Sequence, residues 1–98
     1  MEGWADLEEY NQFMQRINGW SEELLLRGLS QFTIRDIEVL EQLAAESSRL
    51  QMSFLHELLN HLIKEGRSVA LGQGNEELLL FQYCRLTQYV QLSVQEEA

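Results

Sequence analysis

Hydrophobic positions recur with a helical period over most of the first two thirds of the chain. Between residues 4 and 27, Trp4, Leu7, Tyr10, Met14, Ile17 and Leu24 fall at spacings of three, four or multiples of these. Phe13 and Trp20 lie beside them, so the segment reads as an amphipathic helix. Gly19 weakens its middle, and Ser21 followed by Glu22 and Glu23 resembles a second helix start. One kinked helix and two separate helices both fit. Gly28 ends the segment. Residues 30–33, SQFT, form a short strand or an extended link. Thr33 suits the N-cap of the next helix, with Asp36 three residues on. Ile37, Leu40, Leu43 and Ala44 then line one face.

Residues 45–52, AESSRLQM, demand a choice. No Gly or Pro interrupts 33–65, but one helix of about 33 residues would be near three times the usual length. Ser48–Arg49–Leu50–Gln51 fits the capping box S-x-x-Q, which predicts two helices, about 34–46 and 50–65. Gly66 ends the second. The character then changes to RSVAL, GQGN and EELLLFQY. Two apolar runs flanking a Gly- and Asn-rich turn predict a hairpin. The alternative makes Asn75 the N-cap of a further helix with Glu76 and Glu77 in its first turn. The tail fits both periods. Val90, Leu92 and Val94 alternate like a strand, while Leu86, Tyr89, Val90 and Ser93 would make a helical face. Residues 82–95 carry one charge, Arg85, which predicts a segment covered by the domain or by a partner.

The order helix, short FT strand, helix, turn, helix, Gly, hairpin resembles a winged-helix domain. Its most specific piece is SFLHELLNHLIKEGRSVALGQGNEELLLF. This looks like the third helix and wing of the winged helices in ESCRT-II subunits and related ESCRT-III-like proteins. The resemblance covers about residues 30–82, with residues 1–28 supplying the first helix. It implies a single α+β domain, 1–98, mainly helical with a C-terminal β-hairpin wing. It also implies assembly on a membrane-remodelling complex through protein contacts. The alternative fold is an all-α bundle with one long central helix.

Charge narrows the partners. The net charge is −9. Residues 1–46 hold ten acids against Arg16, Arg27 and Arg35, net −7. Residues 47–98 hold six against Arg49, Lys64, Arg67 and Arg85, net −2. Such a chain repels phosphate backbones at long range. It favours basic partner surfaces through salt-sensitive contacts. The single Cys84 fits a reducing compartment, the first residues resemble no signal or transit peptide, and no run is long enough to span a membrane. An intracellular, cytoplasmic protein is expected.

HELLNH, residues 56–61, is one residue longer than the zinc-protease signature HExxH. At ~100° per residue, His56 and His61 diverge by about 140° and cannot share a metal from one helix. No phosphate loop or nucleophile elbow is present. No catalytic residue, metal or cofactor is therefore predicted, and Cys84 is expected to be buried or half-buried. Arg49, Ser53, His56, Asn60 and Lys64 instead fall at spacings of 4, 3, 4 and 4. They would form a polar stripe opposite Leu50, Phe54, Leu58 and Leu62, with Arg67 placed to touch phosphate. On a recognition helix these residue types read base edges. Among the aromatics, Trp4, Tyr10 and Trp20 are candidate interface residues. The reading that follows is a non-enzymatic protein–protein interaction module, an adaptor in a multiprotein assembly. The alternatives are a DNA-binding transcriptional regulator and an all-α dimeric adaptor.

Overall fold

The computed structural model describes residues 2–96, and the side chains of residues 8–93. It contains α1 (Glu2–Arg27), a single 3-10 turn (Leu29–Gln31), α2 (Ile34–Arg49), α3 (Ser53–Ala70) and α4 (Glu76–Glu96). There is no strand among the described residues. The hairpin wing is therefore absent, and the α+β winged-helix expectation gives way to an all-α fold. The single long central helix is absent too, because α2 and α3 are separate.

Three local signals account for the difference. Gly66 does not end α3 but lies within it, buried. A Cβ there would stand 2.4 Å from the ring of Phe32, so glycine serves close packing and not termination. The GQGN turn closes a helix instead of a hairpin. Gly72 has φ +77°. Its N–H donates to the Val69 carbonyl (2.9 Å) and the Gln73 N–H to the Ser68 carbonyl (2.9 Å). These two bonds make a Schellman motif. Asn75 then caps α4, its Oδ1 accepting the Glu77 N–H at 2.7 Å.

The same motif ends α2, with a less suitable residue. Gln51 takes φ +60°. Its N–H donates to the Ser48 carbonyl (3.0 Å), and the Met52 N–H to the Ser47 carbonyl (2.9 Å). Ser48 and Gln51 thus stop α2 and do not start α3. No side-chain hydrogen bond caps α3 at Met52.

At Gly28 and Thr33 the sequence pattern and the fold agree. Gly28, at φ +97°, follows α1, and its N–H donates to the Leu24 carbonyl at 2.8 Å. Thr33 caps α2, with the Asp36 carboxylate accepting the Thr33 backbone N–H at 2.9 Å. Residues 30–33 form no strand: the 3-10 turn runs into an extended Phe32 whose ring is buried. α1 is continuous. Gly19 lies on its exposed side, and Ser21 caps nothing, its Oγ donating back to the Asn18 carbonyl at 2.8 Å.

α2 packs on α3, α3 on α4, and α4 on α1. Cross-links fix the directions. Arg49 pairs with Glu9 at one end of the α1–α2 pair, and Trp20 reaches Asp36 near the other. The shape is elongated, 48 × 24 × 19 Å. The core is continuous through all four helices, from Phe13, Ile17 and Leu24 through Leu40 and Leu59 to Leu79 and Leu86.

Candidate interaction surface

α4 carries a buried apolar seam and an outer, partly apolar one. Leu79, Tyr83, Leu86 and Val90 are spaced 4, 3 and 4, and all are buried against the bundle. Leu78, Phe81, Arg85, Gln88 and Leu92 repeat at 3, 4, 3 and 4. Each residue of this set from Phe81 on follows a core residue by two places, about 160° around the helix. Phe81 is 57% exposed and Leu92 60%. A helix that is apolar on opposite sides is ordinarily covered on both. Here one side faces outward.

α3 extends this outer seam. Phe54, 52% exposed, sets its ring edge-on to Tyr89 with centroids 5.3 Å apart. Phe54, Leu58, Arg85, Gln88, Tyr89 and Leu92 border a shallow groove of about 250 Å³. Arg85 is its only charged residue. The guanidinium lies 5.9 Å from the Phe81 ring centroid and makes one long hydrogen bond, 3.4 Å, to Gln82 Oε1. Among the described residues no carboxylate forms an ion pair with it.

Compared with known proteins, the chain matches no protein-family model, no curated protein and no solved structure.

The fold scatters the polar stripe expected on one recognition helix. Arg49 belongs to α2, where it pairs with Glu9 (2.8 Å) and with Glu46. That pairing holds the Glu46 carboxyl below its ordinary range and raises the Arg49 guanidinium. Ser53 opens α3 and is exposed. His56 turns inward, its Nδ1 2.9 Å from the Ala44 carbonyl and 3.3 Å from Ser47 Oγ, at the end of α2. Asn60, His61 and Lys64 are exposed. Arg67 pairs with Glu41 of α2 at 3.1 Å. Phe54, expected on the buried side, is exposed. Cys84, expected to be buried or half-buried, is exposed beside the outer seam, because it lies one residue beyond the core position Tyr83.

The aromatics of α1 point elsewhere. Trp20 is buried and Tyr10 half-buried against the core, while the side chain of Trp4 lies outside the described residues. Among the described residues the exposed aromatics are Phe54 and Phe81. The near absence of charge in 82–95 pointed to the surface beside Phe81, but no sequence signal marked Phe54.

A second opening lies between α1 and α2. It measures about 510 Å³ and is lined in part by Arg16, Gly19, Trp20, Arg35 and Val39. Its polar end is a closed network around Asp36. Trp20 Nε1 donates to Oδ1 (3.2 Å), Arg27 Nη2 to Oδ1 (2.7 Å), and the Thr33 N–H to Oδ2 (2.9 Å). Burial alone would raise the Asp36 pKa, but the bonds from Arg27, Thr33 and Trp20 together with the Arg27 charge outweigh it, leaving the carboxyl below its usual range. On the far side of α1, the Tyr83 hydroxyl donates to the Ser21 carbonyl. Burial pushes its pKa up, so it stays a donor. Among the described residues no three His, Cys, Asp or Glu side chains group as metal ligands, and no helix is long and apolar enough to cross a membrane.

Proposed function

We propose that this chain is a non-enzymatic protein-interaction module that presents the outer seam of α4 and the neighbouring Phe54 to another protein chain. The observation that supports this is the outer seam, in which Leu78, Phe81 and Leu92 are left exposed on the side of α4 away from the core. Residues 78–93 contain one charged side chain in a chain of net charge −9. Aromatic residues with one arginine, depleted of acids and lysines, are the composition of interface centres. Arg85 adds direction to a contact otherwise held by apolar burial.

Photo-crosslinking tests this. A photoreactive phenylalanine analogue at Phe81, in cells, should give adducts of discrete mass. The same probe at Gln42 on exposed α2 should give none of them. Adducts at both positions alike, or at neither, would reject the reading.

A further inference from the structure

We propose that the occupant of the outer seam is a second copy of this chain, lying antiparallel so that Phe81 faces the copy's Leu92 and Arg85 faces its Gln88. The proposal rests on the outer seam being a contact surface, and it names the partner.

The spacing of Phe81, Arg85, Gln88 and Leu92 is 4, 3 and 4, the same read in either direction. A two-fold axis crossing α4 between Leu86 and Thr87 superposes the set on itself reversed. Closed dimers need such a self-complementary patch, in which each residue meets its counterpart twice. The two pairs this axis creates are chemically matched. Phe81 and Leu92 are large, apolar and both more than half exposed. Arg85 has no carboxylate partner among the described residues, and the Gln88 amide supplies a carbonyl acceptor. A parallel arrangement in the same register would set Arg85 against Arg85. The 4, 3, 4 spacing is also that of helices packed side by side with their knobs in each other's holes.

Charge selects the face. Two copies at −9 repel each other over most of their surface. The outer seam holds no acid between Leu78 and Leu92, so apolar contact there meets the least opposition. The groove bordered by Phe54 and Tyr89 adjoins Leu92 and offers a wall for the copy's Phe81.

Two measurements test the proposal. Sedimentation equilibrium on the purified wild-type chain should show a monomer–dimer equilibrium in the micromolar range. Phe81→Glu should raise its Kd by at least about a hundredfold, since each dimer loses two buried rings, with unchanged helicity by circular dichroism. In a Cys84→Ser background, differently tagged chains carrying Phe81→Cys or Leu92→Cys are mixed and oxidised. Disulfides between positions 81 and 92 should predominate over 81–81 and 92–92, which the register places too far apart to bridge. A wild type monomeric to about 100 μM, or a dimer whose same-position disulfides prevail, overturns the proposal. If the monomer result accompanies discrete photo-adducts at Phe81 to a different protein, the surface stands and only the second copy is rejected. Without adducts, both fall.

Discussion

Replacing Asp36 by asparagine tests the polar network that ties α1 and α2 to the link between them. Its carboxylate, 6% exposed, receives Trp20, Arg27 and the Thr33 backbone. Asparagine keeps the shape but turns one acceptor into a donor and removes the charge that Arg27 faces. The lost charge-assisted bond is worth about 1.5–3 kcal/mol, discounted because Arg27 is about one third exposed. A mismatched buried donor adds ~1 kcal/mol or more. The expected loss is about 3 kcal/mol at pH 7. On a urea slope of about 1.5 kcal/mol/M, the midpoint falls by about 2 M, read from ellipticity. The pH dependence fixes the cause. The folded pKa lies below the unfolded one of about 3.9. The carboxylate's stabilisation is thus full above pH ~4 and lost as pH falls through the folded value. The gap between wild type and Asp36→Asn should hold from pH 7 to about 5 and narrow below about 4. Equal midpoints at pH 7, or a gap that widens on acidification, would refute the reasoning.

Other outcomes follow from single positions. Gly66→Ala should lower stability by about 1–2 kcal/mol in thermal melts, because overpacking against Phe32 exceeds the helix-propensity gain. In a Phe32→Leu background that penalty should shrink. Gly19→Ala, where nothing lies within 4 Å of the new methyl, should stabilise by about 0.5–1 kcal/mol. Gln51→Gly should raise the urea midpoint by the equivalent of about 0.5–1 kcal/mol, by relieving a left-handed residue at the end of α2. Tyr83→Phe should cost about 1 kcal/mol in the same assay, since only its bond to the Ser21 carbonyl is removed.

Local chemistry that the sequence displays outright was legible: the α1 period, the Gly28 stop, and the Thr33–Asp36 start of α2. The errors arose where one residue type serves two purposes. Gly66 and Gly72 look alike in sequence, but the first accommodates a ring from 34 residues earlier and the second a left-handed turn. Gln51 adopts a conformation that glycine prefers, so no residue signal marked the end of α2. For α4, a buried apolar seam and a partly apolar outer one blur the periodicity, and a strand pattern emerged from their overlap. The polar stripe failed for a related reason. It assumed an unbroken helix from Arg49 to Lys64, and the turn at Leu50–Met52 moves Arg49 onto another helix, beside Glu9. The outer seam could not be assigned from spacing alone, because the sequence does not say which of two apolar sides a bundle will cover.

The pairing of α1 with α4 also governs the order in which the chain can become structured. α2 and α3 are joined by a turn of three residues, so their contacts are local and close rapidly. α1 cannot do the same. Its main partner begins only at Glu76, and the loop between them must close before Phe13, Ile17 and Leu24 gain cover. During synthesis at about 5–20 residues per second, these side chains wait several seconds for α4 to emerge. Although α1 is made before α2 and α3, it is buried after them, and in the interval its apolar side is open to aggregation or to a chaperone's grip.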